Sequence, residues 1–213
     1  MSILKDYYVG QMKIKILNSY ESMVRVMSCG TGICLRALLL ERRHVNVMFV
    51  AALSQNEAPR TLLSHLWIGW SRIGTLLMDE YVCIVLSPKA RFRNFLKTFI
   101  LNLKNSHSPD HIGGNTPKTE NKAVRYATQL ADIPSLDLCL IGIGENVHAA
   151  FDNLKTTDFS AFYGVWIVEP DEVCRMHQVH DRCFGRLVPI QKSAFTRAQA
   201  VMRRLSGRIP RYF

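Results

Sequence analysis

The chain has no Cys-x-x-Cys pair, no long uninterrupted apolar run and few acids. Its six cysteines (Cys29, Cys34, Cys83, Cys139, Cys174 and Cys183) stand apart, and Cys83 and Cys139 sit in apolar runs. That spacing argues against a zinc site or a disulfide frame and predicts reduced thiols in a cytoplasmic protein. The apolar runs Val45 to Leu53 and Leu136 to Ile143 read as core strands, too short to cross a bilayer. The opening Met1-Ser2-Ile3-Leu4-Lys5-Asp6 lacks the basic-then-apolar order of a secretory signal. We find neither an internal repeat nor a low-complexity segment.

Acids number 17 against 27 lysines and arginines, so the formal charge is +10 and the pI about 9.5. Such a balance suits an anionic partner, either nucleic acid or a small molecule. No basic recognition helix with base-reading spacing is present, so specific nucleic-acid binding is not expected. Arg197, Arg203, Arg204, Arg208 and Arg211 gather toward the C-terminus. They read as a solvated helix face and a basic tail from about residue 206, or as a phosphate site using one or two of them. A length of 213 residues supports one sizeable core and would cramp two. We therefore expect one domain over residues 1–213.

Periodicity sets the expected elements. Met12 to Leu17 alternates as a half-buried strand. Ser19 to Met27 and then Leu35 to Arg43 read as helix, with Ser19 or Ser22 as the cap. Val45 to Ala52 is a central strand running into Ser54-Gln55-Asn56-Glu57, which has the spacing of a capping box. Ile73 to Met78 is a strand ending in the polar Asp79-Glu80-Tyr81. Helices are predicted at Phe92 to Leu103, Glu120 to Ala131, Asp171 to His180 and Ala194 to Leu205, and a loop at Asn105 to Asn121. Leu136 to Ile143 and Tyr163 to Val168 complete the strands. Strands alternating with helices imply an α/β fold with a mostly parallel sheet flanked by helices.

Three strand ends carry polar clusters: Ser54-Gln55-Asn56-Glu57, Asp79-Glu80-Tyr81 and Gly144-Glu145-Asn146-Val147-His148. In a parallel sheet all three lie on one rim, where ligands of α/β folds sit. Ser54 at a helix start suits a phosphate. A carboxylate in a cleft acts as a base when burial or a like charge raises its pKa. His148 titrates near neutrality and can carry a proton, or can simply bond backbone at a helix start. The Gly-x-Gly turn also fits a plain strand-to-helix connection with polar surface residues.

On these residues the chain resembles the glucosamine-6-phosphate deaminase/isomerase group, particularly its galactosamine-type branch. The fold group also holds 6-phosphogluconolactonases. The matching pieces are Val45 to Phe49 with Ala51 to Glu57, Trp70 to Ile73 with Met78-Asp79-Glu80-Tyr81, Leu136 through Phe151, and Val168 through Arg175 with Gln178-Val179 and Cys183-Phe184. They stand in the family's order over roughly residues 12–185. The resemblance implies a cytoplasmic, Rossmann-like enzyme of amino-sugar 6-phosphates that opens the ring, moves a proton between C1 and C2 and releases ammonia. It implies no metal and no organic cofactor. Asp79 would be the proton-transfer base and His148 would assist ring opening. Glu80 and Glu145 would orient their neighbours or the substrate. Ser54, Gln55, Asn56, Gly144 and Asn146 would bind the sugar phosphate. The implied partner is a small sugar phosphate, with no membrane, and family members often form homo-oligomers.

The chain also departs from the family pattern. Val147 stands where the family has glycine, and a β-branched residue is a poor fit to positive φ or close backbone approach. Asp152-Asn153 stands where the branch has Asn-Asp, Leu53 replaces a proline, and the passage from Gly185 to Ala194 is short. Two readings follow: an active isomerase/deaminase, or a non-catalytic homologue that binds sugar phosphates as a sensor or has decayed.

Overall fold

In the computed structural model the described residues are 2–49, 57–65, 67–81, 119–133, 136–142, 151, 165–180 and 194–196. The first two strands, β1 (Ile3–Val9) and β2 (Met12–Leu17), form an antiparallel hairpin. Gly10 turns it with φ +58°, a conformation that favours glycine. The strand at Ile3–Val9 was not among the expected elements.

Helix α1 (Tyr20–Glu41) is one continuous 22-residue helix, spanning both predicted segments. Ser19 caps it, its Oγ accepting the Ser22 N–H at 3.2 Å. At the other end the Arg72 guanidinium donates to the carbonyls of Leu39, Arg42 and Arg43 at 2.6, 2.6 and 2.9 Å. Those groups have no intrahelical donor, so one arginine closes the helix end that the sequence leaves without a glycine cap. By length and composition α1 is apolar enough to cross a membrane, which corrects the expectation that no segment is. The expectation failed because arginines, serines and glycines interrupt the run, although the helix as a whole stays apolar. Leu35 and Leu39 are buried in the core.

Three strands build the parallel sheet: β3 (Val45–Phe49), β4 (Ile73–Leu77) and β6 (Leu138–Leu140), in the order β4-β3-β6. Alternation along β3 sorts the two faces. Val45, Val47 and Phe49 join Leu35 and Leu39 of α1 and Leu62 of α2 (Glu57–Leu63). Met48 turns to the other side with Leu76, where it meets Ala123, Tyr126 and Leu130 of α3 (Thr119–Ala131). Helices on both faces explain why the central strand is a continuous apolar run. This is the α/β architecture expected, with β6 bounded more tightly than Leu136 to Ile143.

A second, antiparallel sheet has the order β5-β8-β7, from β5 (Asp79–Tyr81), β7 (Trp166–Val168) and β8 (Ala194–Thr196). Helix α4 (Glu172–His180) follows β7. Two expectations are corrected here. Residues 194–196 form a strand, not the start of a helix, because they pair on both sides with Asp79–Tyr81 and Trp166–Val168. Asp79-Glu80-Tyr81 is likewise a buried strand and not a polar terminus. The predicted helix at 92–103 and the loop over 105–118 lie outside the described residues, as do Cys83 and Cys183. Residues 119–121 belong to α3. Among the described residues Cys29, Cys34, Cys139 and Cys174 are in no disulfide.

One polar contact locks β6 into register. The buried Asp137 carboxylate pairs with Arg42 and accepts the Asn46 N–H at 2.7 Å, while its own N–H reaches the Asn46 carbonyl at 3.0 Å. Asp137→Ala leaves the Asn46 N–H without that acceptor and should cost about 2 kcal/mol. Arg42 is half exposed and stays solvated, so the loss falls below that of a fully buried pair. Urea denaturation should show a lower midpoint at unchanged slope, and an unchanged midpoint would refute the lock.

Candidate active site

The parallel register puts the carboxyl ends of β3, β4 and β6 side by side, with Phe49 opposite both Leu77 and Leu140. The exit from β4 is tightly held. Leu77 has both backbone groups on the buried Tyr126 hydroxyl, which accepts its N–H at 3.2 Å and donates to its carbonyl at 2.8 Å. The Met78 N–H then donates to the Phe49 carbonyl at 3.0 Å. These contacts leave little freedom in where the next residue, Asp79, emerges.

Asp79 is only 3% exposed, and its Oδ1 has no hydrogen-bond partner. Burial pushes its carboxyl well above the ordinary carboxylate range, and the neighbouring Glu80 charge pushes it further, against the lowering effect of a backbone hydrogen bond. A buried acid with an open oxygen at a strand end is suited to taking and returning a proton. Glu80 alternates to the other side of the strand, and its Oε1 accepts the Tyr81 N–H at 2.9 Å. The two adjacent acids are thus separated in direction and in hydrogen bonding.

Two further elements close around Asp79. Thr196, fully buried, lies directly opposite it across β5 and β8. Cys174 of α4 is also buried, and its thiol is pushed up to about 12 by burial and by the charges of Asp171 and Asp79. Asp171 caps α4 by accepting the Cys174 N–H at 2.8 Å. Neither Thr196 nor Cys174 was singled out as a site residue from sequence. The Asp171-x-x-Cys174 spacing is a helix-cap signal that places the thiol in the first turn, but only the fold brings it beside Asp79.

The Leu136 to Phe151 segment is tied to the same place. Phe151, its last residue, is buried with its ring 4.7 Å from that of Tyr81. Gly144, Glu145, Asn146 and His148 fall between Gly142 and Phe151 in the sequence. Those four residues, with Ser54, Gln55 and Asn56, lie outside the described residues. Among the described residues no group of three or more His, Cys, Asp or Glu side chains forms a metal site.

This arrangement is that of an α/β domain of the sugar-phosphate deaminase and lactonase fold group. The fold matches a solved monomeric glucosamine-6-phosphate deaminase with a TM-score of 0.73, at 19% identity over 91% of this chain and 87% of that one. It also matches 6-phosphogluconolactonase from Thermotoga maritima with a TM-score of 0.61, at 18% identity over 81% of this chain and 72% of that one. In sequence the chain resembles the glucosamine-6-phosphate deaminase group. It is 26% identical to glucosamine-6-phosphate deaminase of Shouchella clausii, over 87% of this chain and 73% of that protein. It is 29% identical to the Staphylococcus haemolyticus protein of the same name, over 45% of this chain and 41% of that one. The chain thus spans about three quarters of the first relative's length and less than half of the second's. No family model matches.

Proposed function

We propose that this chain is an amino-sugar-6-phosphate deaminase/isomerase. The observation that carries the reading is Asp79: a buried carboxyl with a raised pKa and an unpartnered oxygen, at the end of the strand beside the parallel-sheet rim. In the proposed reaction His148 assists ring opening. Asp79 takes the proton from C2 of the open aldose and returns it to C1. The resulting imine at C2 is hydrolysed, so water is consumed, ammonia leaves and a ketose phosphate remains. Glu80 and Glu145 orient these groups, and Ser54, Gln55, Asn56, Gly144 and Asn146 hold the sugar phosphate. A base near the C–H bond and a separate group serving the ring oxygen divide the work between two pKa values.

Purified protein mixed with glucosamine-6-phosphate or galactosamine-6-phosphate should release ammonia in a coupled assay. Absence of ammonia at high enzyme concentration would overturn the reading. Val147, in place of glycine, favours a second reading in which the chain binds a sugar phosphate without turnover. Thermal stabilisation by the sugar phosphates with no ammonia release would select that alternative.

A further inference from the structure

Among the described residues, the hairpin β1–β2 leaves Tyr7, Val9, Met12 and Ile16 exposed. All seven residues of β1 are exposed. Pairing sorts the ribbon into two faces. Tyr7 and Val9 of β1 stand opposite Ile14 and Met12 of β2, with Ile16 beside them opposite Lys5. Asp6 and Tyr8 stand opposite Lys15 and Lys13 on the other face. The first face is therefore apolar and the second is charged. On the apolar face Val9 is 57% and Tyr7 42% exposed. A two-stranded ribbon is marginally stable by itself, and a strand with an open edge and an uncovered apolar face normally gains a partner.

Charge chooses the occupant. The ribbon carries Lys5, Lys13 and Lys15 against the single acid Asp6, which already pairs with Lys13 at 3.6 Å. The Lys13 ammonium also lies 5.5 Å from the Tyr8 ring centroid. The whole chain is +10. A second copy would bring like charges together, whereas an anionic surface is attracted. Tyrosines at the margin of an apolar face, flanked by lysines with long apolar stems, are the chemistry of a membrane–water interface. We infer that the β1–β2 hairpin is a docking surface for an anionic lipid bilayer. The apolar face sits among the headgroups, and the lysines stay within a Debye length of the lipid phosphates. This goes beyond the sequence expectation of no membrane partner, which was formed without the first strand.

The full chain should float with vesicles of phosphatidylcholine and phosphatidylserine at low salt, and not with phosphatidylcholine alone. Lys15→Glu should weaken flotation by more than about fivefold, because each lysine near an anionic surface contributes roughly that factor. Val9→Asp, on the apolar face opposite Met12, should abolish it, with an unchanged circular dichroism spectrum because Val9 is exposed. Equal binding to both vesicle types, or no binding to either, would overturn the inference. So would a dimer in sedimentation that Val9→Asp dissolves, since the ribbon would then be covered by a second copy.

Discussion

Asp79→Asn should lower kcat for ammonia release by about a thousandfold or more, the usual contribution of a positioned general base. The same variant should be more stable than the parent. The native carboxyl is buried beside Glu80, with one oxygen unpartnered, so its charged form is disfavoured by the fold. Sites of function commonly carry such local costs, and removing them stabilises. The pH dependence gives the direction. Because the folded pKa lies above the unfolded value, the folded state holds the proton more tightly. Stability from this group is then fully present below the unfolded carboxylate value, near pH 4, and falls as pH rises through the folded value. The difference in melting temperature between Asp79→Asn and the parent should therefore widen as pH rises from about 4. Activity should move oppositely, rising as the base ionises. A variant that keeps turnover, or a stability difference that is flat with pH, would remove Asp79 from the proposed role.

The parallel sheet was legible because its signals are local. Val45 to Phe49 is a β-branched and apolar run bounded by polar residues, and its burial on both faces follows from helices predicted before and after it. The helix cap was legible as Ser19 or Ser22 for the same reason, and the structure uses Ser19. The second sheet was not. Asp79-Glu80-Tyr81 looks polar and therefore solvent-facing, and Ala194 to Leu205 has helical spacing. What makes both segments strands is that each finds the other far along the chain, and strand formation follows pairing and burial more than local preference. Trp166–Val168 completes the set. The hairpin strand Ile3–Val9 was missed because Lys5 and Asp6 break its apolar pattern. At the site, Asp79 and Glu80 could be marked from sequence as adjacent acids pointing different ways. The enclosure of Asp79 by Thr196 and Cys174 depends on contacts between segments that no spacing rule connects. The roles of Ser54, Gln55, Asn56, Gly144, Glu145, Asn146 and His148 remain part of the proposal.

The second large effect is expected at Phe151. Its ring meets Tyr81 at 4.7 Å with an interplanar angle of 59°, an edge-to-face type of contact between fully buried aromatics. It also belongs to the core cluster that includes Leu35, Leu77, Cys174 and Ala194 and so spans the parallel sheet, α1, α4 and the second sheet. Phe151→Ala should cost about 3–5 kcal/mol, through lost burial and the cavity left behind. Chemical denaturation measures it directly. The functional effect should exceed that of unfolding alone. Phe151 ends the segment that carries Glu145 and His148, and Tyr81 is two residues from Asp79. If His148 works with Asp79 as proposed, loosening this contact should let the pair drift, and an ångström of misplacement costs about a hundredfold in rate. At a temperature where Phe151→Ala remains folded, kcat should fall by about that factor while binding of the sugar phosphate weakens less. Phe151→Leu, which refills most of the volume, should recover both in part. If the folded alanine variant turns over at the parent rate, the ring holds the core together but does not align the acid at 79 with the segment at 145–148.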